Sequence, residues 1–298
     1  MRIPRIPVWL KMFLLTILIG ALVRTFAFTS CSIPFSGMEN TLYQGERVLV
    51  NKWSYGLRLP FSTVRLGAQQ AGKGDVVLFN NPISHDESPV YARELFISRC
   101  VGIPGDTLMM NDELMVTGNQ VQSPDSKQLY VYPHSAEDTL LHVMEELGIA
   151  ENPLVGYASG NYIRSFSFYE HYLLNQRLGA VVELHPVHTN DTAQSHPFVI
   201  PQKGKPVKVY PWNKTLLCNT IIRHEYRKAS VKGDTLYVDG KPVDSYIFQK
   251  DYYWMASNNP VNLSDSRLFG LVPDECLIGK ACCIWYSSRK DRIFQLVQ

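Results

Sequence analysis

An uncharged apolar segment near the N-terminus constrains this chain more than any other feature. It reads MFLLTILIGALV over residues 12–23, and further apolar residues extend it to residues 8–28. About 20 apolar residues are enough to cross a bilayer as a helix. Residues 1–28 are therefore predicted to form a short tail and a single transmembrane anchor, with the lipid bilayer as a partner.

Charge on either side of this segment indicates its orientation. Arg2, Arg5 and Lys11 precede it, so the positive-inside rule puts the N-terminus in the cytoplasm and the rest of the chain on the extracytoplasmic, periplasmic side. A cleavable signal peptide or a lipoprotein leader is the alternative. Arg24 interrupts the approach to either cleavage point, and Phe28 is a poor match to a lipoprotein box, so we favour an uncleaved anchor.

The rest of the chain has the composition of an ordinary globular protein. Of its 298 residues, 45% are hydrophobic and 19% are charged, and the formal net charge is +2. Such a balance, without runs of Lys or Arg, predicts no nucleic-acid partner. The six cysteines show no CxxC spacing, which argues against a zinc site and leaves one unassigned disulfide open. No cofactor is indicated.

Five short runs rich in Val, Leu, Ile and Phe, closed by turn residues, predict β-strands. They lie within residues 45–57, 73–82, 95–106, 234–243 and 277–287. Asp239-Gly240 predicts a hairpin turn inside the fourth run.

Two segments in the middle of the chain have helical spacing instead. SAEDTLLHVMEELG (residues 135–148) has Ser135 as its expected N-cap, and NKTLLCNTIIRHE spans residues 213–225. The predicted organisation is a β core of residues 29–110 and 233–298 around an α/β insertion of residues 111–232, which is expected to form a cap.

Four stretches, in this order, resemble the characteristic boxes of bacterial signal peptidase I, of the S26 serine endopeptidase family. They are RTFAFTSCSIPFSGMENTL (24–42), KGDVVLFNNP (73–82), FISRCVGIPGDTL (96–108) and MASNNPVNLSDSRLFGLVPDECLIGKA (255–281). The resemblance implies a mainly β fold of coiled antiparallel sheets with one N-terminal transmembrane helix. It also implies an enzyme that removes signal peptides from exported proteins.

That family is understood to use a serine nucleophile and a lysine base. The resemblance puts the nucleophile position just before Met38, at Gly37, and the base position just before Arg99, at Ser98. The position whose hydroxyl serves the oxyanion in the family is Phe35. The chain therefore resembles a catalytically degenerate member, an inactive homologue of the peptidase.

Other family positions, among them Met38 and Arg99, are kept, whereas Phe35 departs from the family pattern. Three are expected in the substrate cleft: Phe35, Met38 and Arg99. Three are expected to be structural: Asp265, Ser266 and Arg267. A carboxylate and a guanidinium two residues apart can tie strand ends together. The last of the four family stretches, residues 255–281, is called here the closing box. Its polar supporting positions are replaced by residues 256–259 and by Leu263.

Ser36 is the alternative nucleophile. A displacement of one residue moves the hydroxyl by ångströms, and about 1 Å can cost a hundredfold in rate. Ser36 would also need a base, which Ser98 cannot be near neutral pH. Lys52 and Lys73 are available, but each lies at a strand end, where a solvated surface role is the default.

Two other segments offer candidates. HPVHTNDTAQSH contains three histidines and an aspartate: His185, His188, His196 and Asp191. Because they lie along a loop and not on one helix face, we interpret them as solvated and predict no metal site. The aromatic run DYYWMASN (251–258) is predicted to pack as a strand, with Trp254 at the membrane interface as the alternative.

Three functional hypotheses follow. The first is a degenerate signal peptidase homologue that still binds signal-peptide-like segments by β-addition. The second is an active peptidase that uses Ser36. The third is a membrane-tethered interaction or scaffold module whose insertion contacts a partner such as an active paralogue.

Overall fold

A computed structural model of the protein describes most of the chain. The described residues are 7–59, 62, 64–83, 88–111, 114, 116, 123, 125–150, 152–179, 182–187, 195–261 and 264–297. The helices are α1 (Val8–Leu22), α2 (Glu137–Glu146), α3 (Phe168–Leu178), α4 (Lys214–His224) and α5 (Ser266–Phe269).

The strands are short, and every pairing between them is antiparallel. In chain order they are β1 (Phe28–Ser32), β2 (Arg47–Asn51), β3 (Leu57–Arg58), β4 (Arg65–Leu66), β5 (Val76–Asn80), β6 (Leu95–Gly102), β7 (Thr107–Met110), β8 (Lys127–Pro133), β9 (Gly156–Ala158), β10 (Asn161–Ser167), β11 (His185–Pro186), β12 (His196–Val199), β13 (Pro206–Lys208), β14 (Ala229–Lys232), β15 (Thr235–Val238), β16 (Lys241–Val243), β17 (Ser245–Ile247), β18 (Tyr252–Ala256), β19 (Val272–Pro273) and β20 (Leu277–Tyr286).

The core sheet has seven strands in the order β1-β2-β20-β5-β6-β18-β19. It curls because register shifts interrupt the pairing of β2 with β20, of β20 with β5 and of β18 with β6, and such bulges bend strands. The sheet follows the N-terminal helix directly: a π-helical turn, Val23–Ala27, ends where β1 begins, and Phe28 pairs with Asn51.

A second sheet, called here the insertion sheet, has the order β11-β8-β10-β9. Helices α2 and α3 supply the apolar side chains Leu140, Met144, Leu174 and Leu178, which are buried together with Tyr132 and Phe166 of the sheet. The later part of the predicted insertion packs elsewhere. Phe198 of β12 and Leu217 of α4 share one apolar cluster with Leu108 and Trp254.

The mainly β architecture with one N-terminal apolar helix confirms the fold class predicted from the sequence. All five predicted strand runs contain strands, and both predicted helices are present as α2 and α4. Asp239 and Gly240 form the hairpin turn with φ of 49° and 80°, the left-handed conformation that a tight hairpin requires. Trp254 is buried within β18, 1% exposed, so the alternative that placed it at a membrane interface is wrong.

Two local details differ from the sequence prediction. Ser135 does not cap α2, because a 3₁₀ turn, His134–Ala136, precedes the helix and puts Ala136 at the N-cap. Helix α3 was not predicted, although Ser167 and Glu170 form a reciprocal capping box at its start. All six cysteines are free thiols in this structure.

Candidate functional site

The predicted nucleophile position lies in a 3₁₀ turn, Ser36–Met38, that follows β1. Met38 is buried in the apolar cluster beneath the core sheet and so fixes the turn. The carbonyl oxygen of Gly37 accepts a hydrogen bond of 2.9 Å from the backbone N–H of Asn259. The turn is therefore tied to the closing box, which lies more than 200 residues further along the chain.

The predicted base position lies on β6. Ser98 pairs with Val77 of β5 and is fully buried. Its hydroxyl donates a hydrogen bond of 2.7 Å to the carbonyl oxygen of Ser264. Ser98 therefore holds the closing box against β6, and this interaction occupies the proton of its hydroxyl group.

A narrow cleft separates the turn from β6. Its lining residues are Cys31, Ile33, Pro34, Phe35, Gly37, Met38, Leu95, Phe96, Ile97, Ser257 and Ser264. The cleft is partly open to solvent, and its interior has room of about 20 Å³, which suits a single water molecule. Phe35 and Met38 thus lie at the cleft, whereas Arg99 is buried and is not among the lining residues.

Cys31 is a cleft residue whose side chain is a potential nucleophile and which sequence reasoning did not single out. Burial raises the pKa of its thiol, and the thiol donates a hydrogen bond of 3.4 Å to the carbonyl oxygen of Ser32. Since the thiolate is the reactive form of cysteine, this environment disfavours the reactive form of Cys31.

Behind the turn, Arg99 organises a buried polar cluster. Its Nη2 donates to Thr41 Oγ1 at 2.8 Å, and its Nη1 donates to the carbonyl oxygen of Gly74 at 2.9 Å. Thr41 donates in turn to Asp125 Oδ2 at 2.6 Å and accepts from Asn258 Nδ2 at 2.8 Å. Burial lowers the pKa of the Arg99 guanidinium, and the carboxylate of Asp125 opposes this effect.

A buried ion pair lies beside this cluster. Lys127 Nζ is 2.9 Å from Glu39 Oε2, with the two side chains 2% and 12% exposed. Asn259 Nδ2 donates to the same carboxylate oxygen at 3.0 Å, and the backbone N–H of Lys127 donates to the carbonyl oxygen of Asn258 at 2.7 Å. Sequence reasoning missed both ionic residues, because they are 88 positions apart and neither belongs to a recognisable local pattern.

The three residues predicted to be structural, Asp265, Ser266 and Arg267, form a hydrogen-bonded group in the closing box. Asp265 is fully buried and accepts hydrogen bonds from the backbone N–H of Ser257 at 2.6 Å and from Arg267 Nε at 3.1 Å. Ser266 Oγ accepts from the backbone N–H of Met255 at 2.9 Å. Together these contacts fix the loop that covers Ser98.

The two alternative lysines have other partners, and neither lines the cleft. Lys52 Nζ donates to the carbonyl oxygen of Thr25 at 2.7 Å, at the end of the N-terminal helix. Burial, with two nearby arginines, lowers the pKa of Lys52. Lys73 is half exposed and forms a salt bridge of 3.2 Å with Asp106.

The histidine-rich segment is only partly described. His185 is exposed and lies 3.3 Å from Glu183, while His196 stacks on Trp212 with ring centroids 5.2 Å apart. The other two candidates, His188 and Asp191, lie outside the described residues. Within the described ranges, no three His, Cys, Asp or Glu side chains gather into a metal-binding group.

Comparison with known proteins agrees with this architecture. A family model described as "Signal peptidase, peptidase S26" matches residues 6–154. Signal peptidase I of Buchnera aphidicola subsp. Baizongia pistaciae is 24% identical over 275 residues, which cover 90% of this chain and 73% of that protein. Signal peptidase I of Pseudomonas fluorescens is 25% identical over 299 residues, covering 96% and 74%.

A third relative, signal peptidase I of Bacillus licheniformis, is 31% identical over a shorter stretch of 117 residues, which covers 39% of this chain and 53% of that protein. The matched residues 6–154 include the N-terminal helix, the turn Ser36–Met38 and strand β6. The chain belongs to the signal peptidase family, peptidase S26.

Proposed function

We propose that this protein is a membrane-anchored member of the signal peptidase family that binds signal-peptide-like segments in its cleft without hydrolysing them. The observation that carries the proposal is the state of Ser98, at the position of the family's lysine base. A fully buried hydroxyl that donates to the Ser264 carbonyl cannot accept a proton from a nucleophile near neutral pH.

The nucleophile side of the site supports the same conclusion. Gly37, at the nucleophile position, has no side chain, and its backbone is engaged with Asn259. Ser36 is buried next to it in the 3₁₀ turn, one residue away from the position where the family's hydroxyl stands. Burial raises the pKa of the Cys31 thiol, which disfavours the reactive thiolate.

A buried lysine does lie near the turn, but it has another role. Lys127 forms an ion pair with Glu39 and is 2% exposed. A base must reach the proton that it removes, whereas the ammonium of Lys127 is paired with the carboxylate of Glu39, and neither residue lines the cleft. This lysine therefore supports the shape of the turn and does not replace the missing base.

Two strand edges favour peptide binding in the cleft. Strand β1 ends the core sheet, and β18 pairs with β6 only from Arg99 to Gly102. Residues 95–98 of β6 consequently have no strand partner on that side within the described part of the chain. An extended peptide can add its backbone hydrogen bonds to such edges.

The N-terminal helix supports membrane anchoring. The helical span Val8–Ala27 is 20 residues long, apolar and almost wholly exposed, which matches the thickness of a bilayer core. Arg2, Arg5 and Lys11 on its N-terminal side favour a cytoplasmic N-terminus. The β domain would then be extracytoplasmic, on the side where signal peptides emerge.

The test compares three forms of the full-length protein in nanodiscs, each incubated with a pre-protein: the native chain, Ser36→Ala, and the double variant Gly37→Ser/Ser98→Lys. We expect no cleavage by the native chain and measurable cleavage by the double variant, which restores the dyad. Cleavage by the native chain that Ser36→Ala abolishes would instead establish an active peptidase.

A second candidate is an interaction module that works through the insertion sheet. The observation that favours it is a group of aromatic side chains, each more than half exposed, at the start of α3: Phe168, Tyr169 and Tyr172. If neither the native chain nor the double variant binds or cleaves a signal peptide, while a triple serine variant of these residues loses a co-purifying paralogue, this candidate replaces the first.

A further inference from the structure

We infer that Phe35 makes the cleft selective for a bulky apolar side chain in the bound segment. This inference rests on the proposed function, because it concerns what the cleft binds. Phe35 lies in extended backbone, with φ of −135° and ψ of 166°, immediately before the 3₁₀ turn. Its neighbours Ile33, Ser36 and Met38 are buried, whereas its own side chain is 51% exposed.

A second exposed apolar side chain lines the same cleft. Leu95 begins β6 and is 46% exposed, and it is one of the cleft-lining residues together with Phe35. We call these two side chains the apolar rim. A ligand that removes exposed apolar groups of a cleft from water lowers the free energy of the complex.

The size of the cleft decides where a large side chain can go. The interior of this partly open cleft has room of about 20 Å³, which suits one water molecule, so a leucine or phenylalanine side chain does not fit its narrow inner part. In an extended peptide bound along β6, a bulky side chain would therefore lie at the open side of the cleft, against the apolar rim. Aromatic rings such as that of Phe35 offer a large apolar surface for this contact.

The chemistry of position 35 points in the same direction. The family resemblance expects an oxyanion-binding hydroxyl there, and a phenyl group can neither donate nor accept a hydrogen bond. Where the family has a hydroxyl that contacts the reacting carbonyl, Phe35 offers an apolar surface to a side chain of the bound peptide. This difference suits a protein that retains a peptide and does not cleave it.

The experiment measures fluorescence anisotropy with the full-length protein in nanodiscs. The probes are fluorescein-labelled twelve-residue peptides of alanine and serine with lysine at both ends, carrying either no leucine or one leucine at each position in turn. Native protein, Phe35→Ser and Phe35→Leu are compared with Tyr157→Ser as the control. Tyr157 is also an exposed aromatic residue, but it lies on β9 of the insertion sheet.

We expect the native protein and Phe35→Leu to bind one leucine peptide about tenfold more tightly than the leucine-free peptide. Phe35→Ser should remove this preference by weakening the binding of the leucine peptide more than that of the leucine-free peptide, and Tyr157→Ser should change neither value. A preference that Phe35→Ser leaves unchanged overturns the inference alone. Binding of no peptide by any form overturns the proposed function as well.

A lipid contact of Phe35 is separated from a peptide contact by repeating the titrations in amphipol, which contains no lipid. The inference expects the same loss of leucine preference in Phe35→Ser under both conditions. A loss that appears only in nanodiscs would assign Phe35 to the bilayer surface and would overturn the inference.

Discussion

Lys127 and Glu39 form a buried ion pair that joins the insertion sheet to the turn carrying Gly37. The N–O distance is 2.9 Å, and Asn259 of the closing box donates to the same carboxylate. Three segments that are distant in sequence therefore meet at one carboxylate, which follows the turn carrying Gly37. The shape of the turn depends on the insertion sheet being docked against it.

Breaking this pair from one side should be strongly destabilising. Lys127→Met leaves the carboxylate of Glu39 buried without its cation, which costs about 3–5 kcal/mol in comparable pairs. We expect a decrease of that size in the free energy of unfolding, measured by denaturant titration of the full-length protein in detergent. Adding Glu39→Leu should recover most of the loss, because the double variant buries no unpaired charge.

The matched control is Lys73→Met. Lys73 forms a salt bridge of 3.2 Å with Asp106, but its side chain is 54% exposed, and exposed pairs contribute about 0–1 kcal/mol. Equal losses for Lys127→Met and Lys73→Met would contradict the structural role assigned to the buried pair.

Glu46 should make the fold sensitive to acid. Burial alone raises the pKa of Glu46, but hydrogen bonds from Arg292, from the backbone N–H of Tyr43 and from Ser287 outweigh it and hold the pKa below its ordinary value. A lowered folded-state pKa stabilises the fold above the unfolded-state pKa of about 4.3. This contribution is lost as the pH falls from there through the folded-state pKa.

The measurement is the melting temperature between pH 7 and pH 3 for the native protein and for Glu46→Gln. The native protein should lose more stability across this range than Glu46→Gln, which should start lower at pH 7. Parallel curves for the two proteins would show that Glu46 does not contribute to acid sensitivity.

Gly279 should not tolerate a side chain. A Cβ atom at this position of β20 would overlap the backbone carbonyl oxygen of Asn51 on β2, and neither backbone can move without disturbing the core sheet. We expect Gly279→Ala to lower the free energy of unfolding by about 1–3 kcal/mol. Gly156→Ala is the control, since its Cβ would meet only Ile163 Cδ1 at 3.7 Å, and a near-neutral effect is expected there.

Lys52 should stiffen the junction between the anchor and the β domain. Its Nζ donates to the carbonyl oxygen of Thr25, and its backbone N–H donates to that of Ala27. Lys52→Met keeps the backbone contact and removes the side-chain contact. Hydrogen–deuterium exchange of the amides in residues 24–28 should then become several times faster, with exchange in β20 unchanged. Unaltered exchange at the junction would contradict this role.

Local patterns in the sequence were sufficient for much of the fold. Short apolar runs closed by turn residues predicted the strands, and Asp239-Gly240 predicted its hairpin, because these elements depend on neighbours a few residues apart. The error at Ser135 arose from a 3₁₀ turn that delays the start of α2. Helix α3 was not predicted because Phe168 and Tyr172 in its first turns are exposed. Its large apolar residues therefore do not all lie on the buried face.

Local sequence patterns predicted only part of the candidate site. The family resemblance indicated Gly37 and Ser98, but not that Ser98 is hydrogen-bonded to Ser264 or that Lys127 is paired with Glu39. Those contacts connect residues 88 to 166 positions apart. They follow from how the sheets dock, which no short segment encodes.

Binding without hydrolysis is the central claim, and one measurement tests both of its parts. A synthetic signal peptide is incubated overnight with the full-length protein in nanodiscs, the protein is recovered on an affinity resin, and the retained peptide is weighed by mass spectrometry. The account predicts that the peptide is retained and has its intact mass. Cleaved fragments, or a resin that retains no peptide, would contradict it.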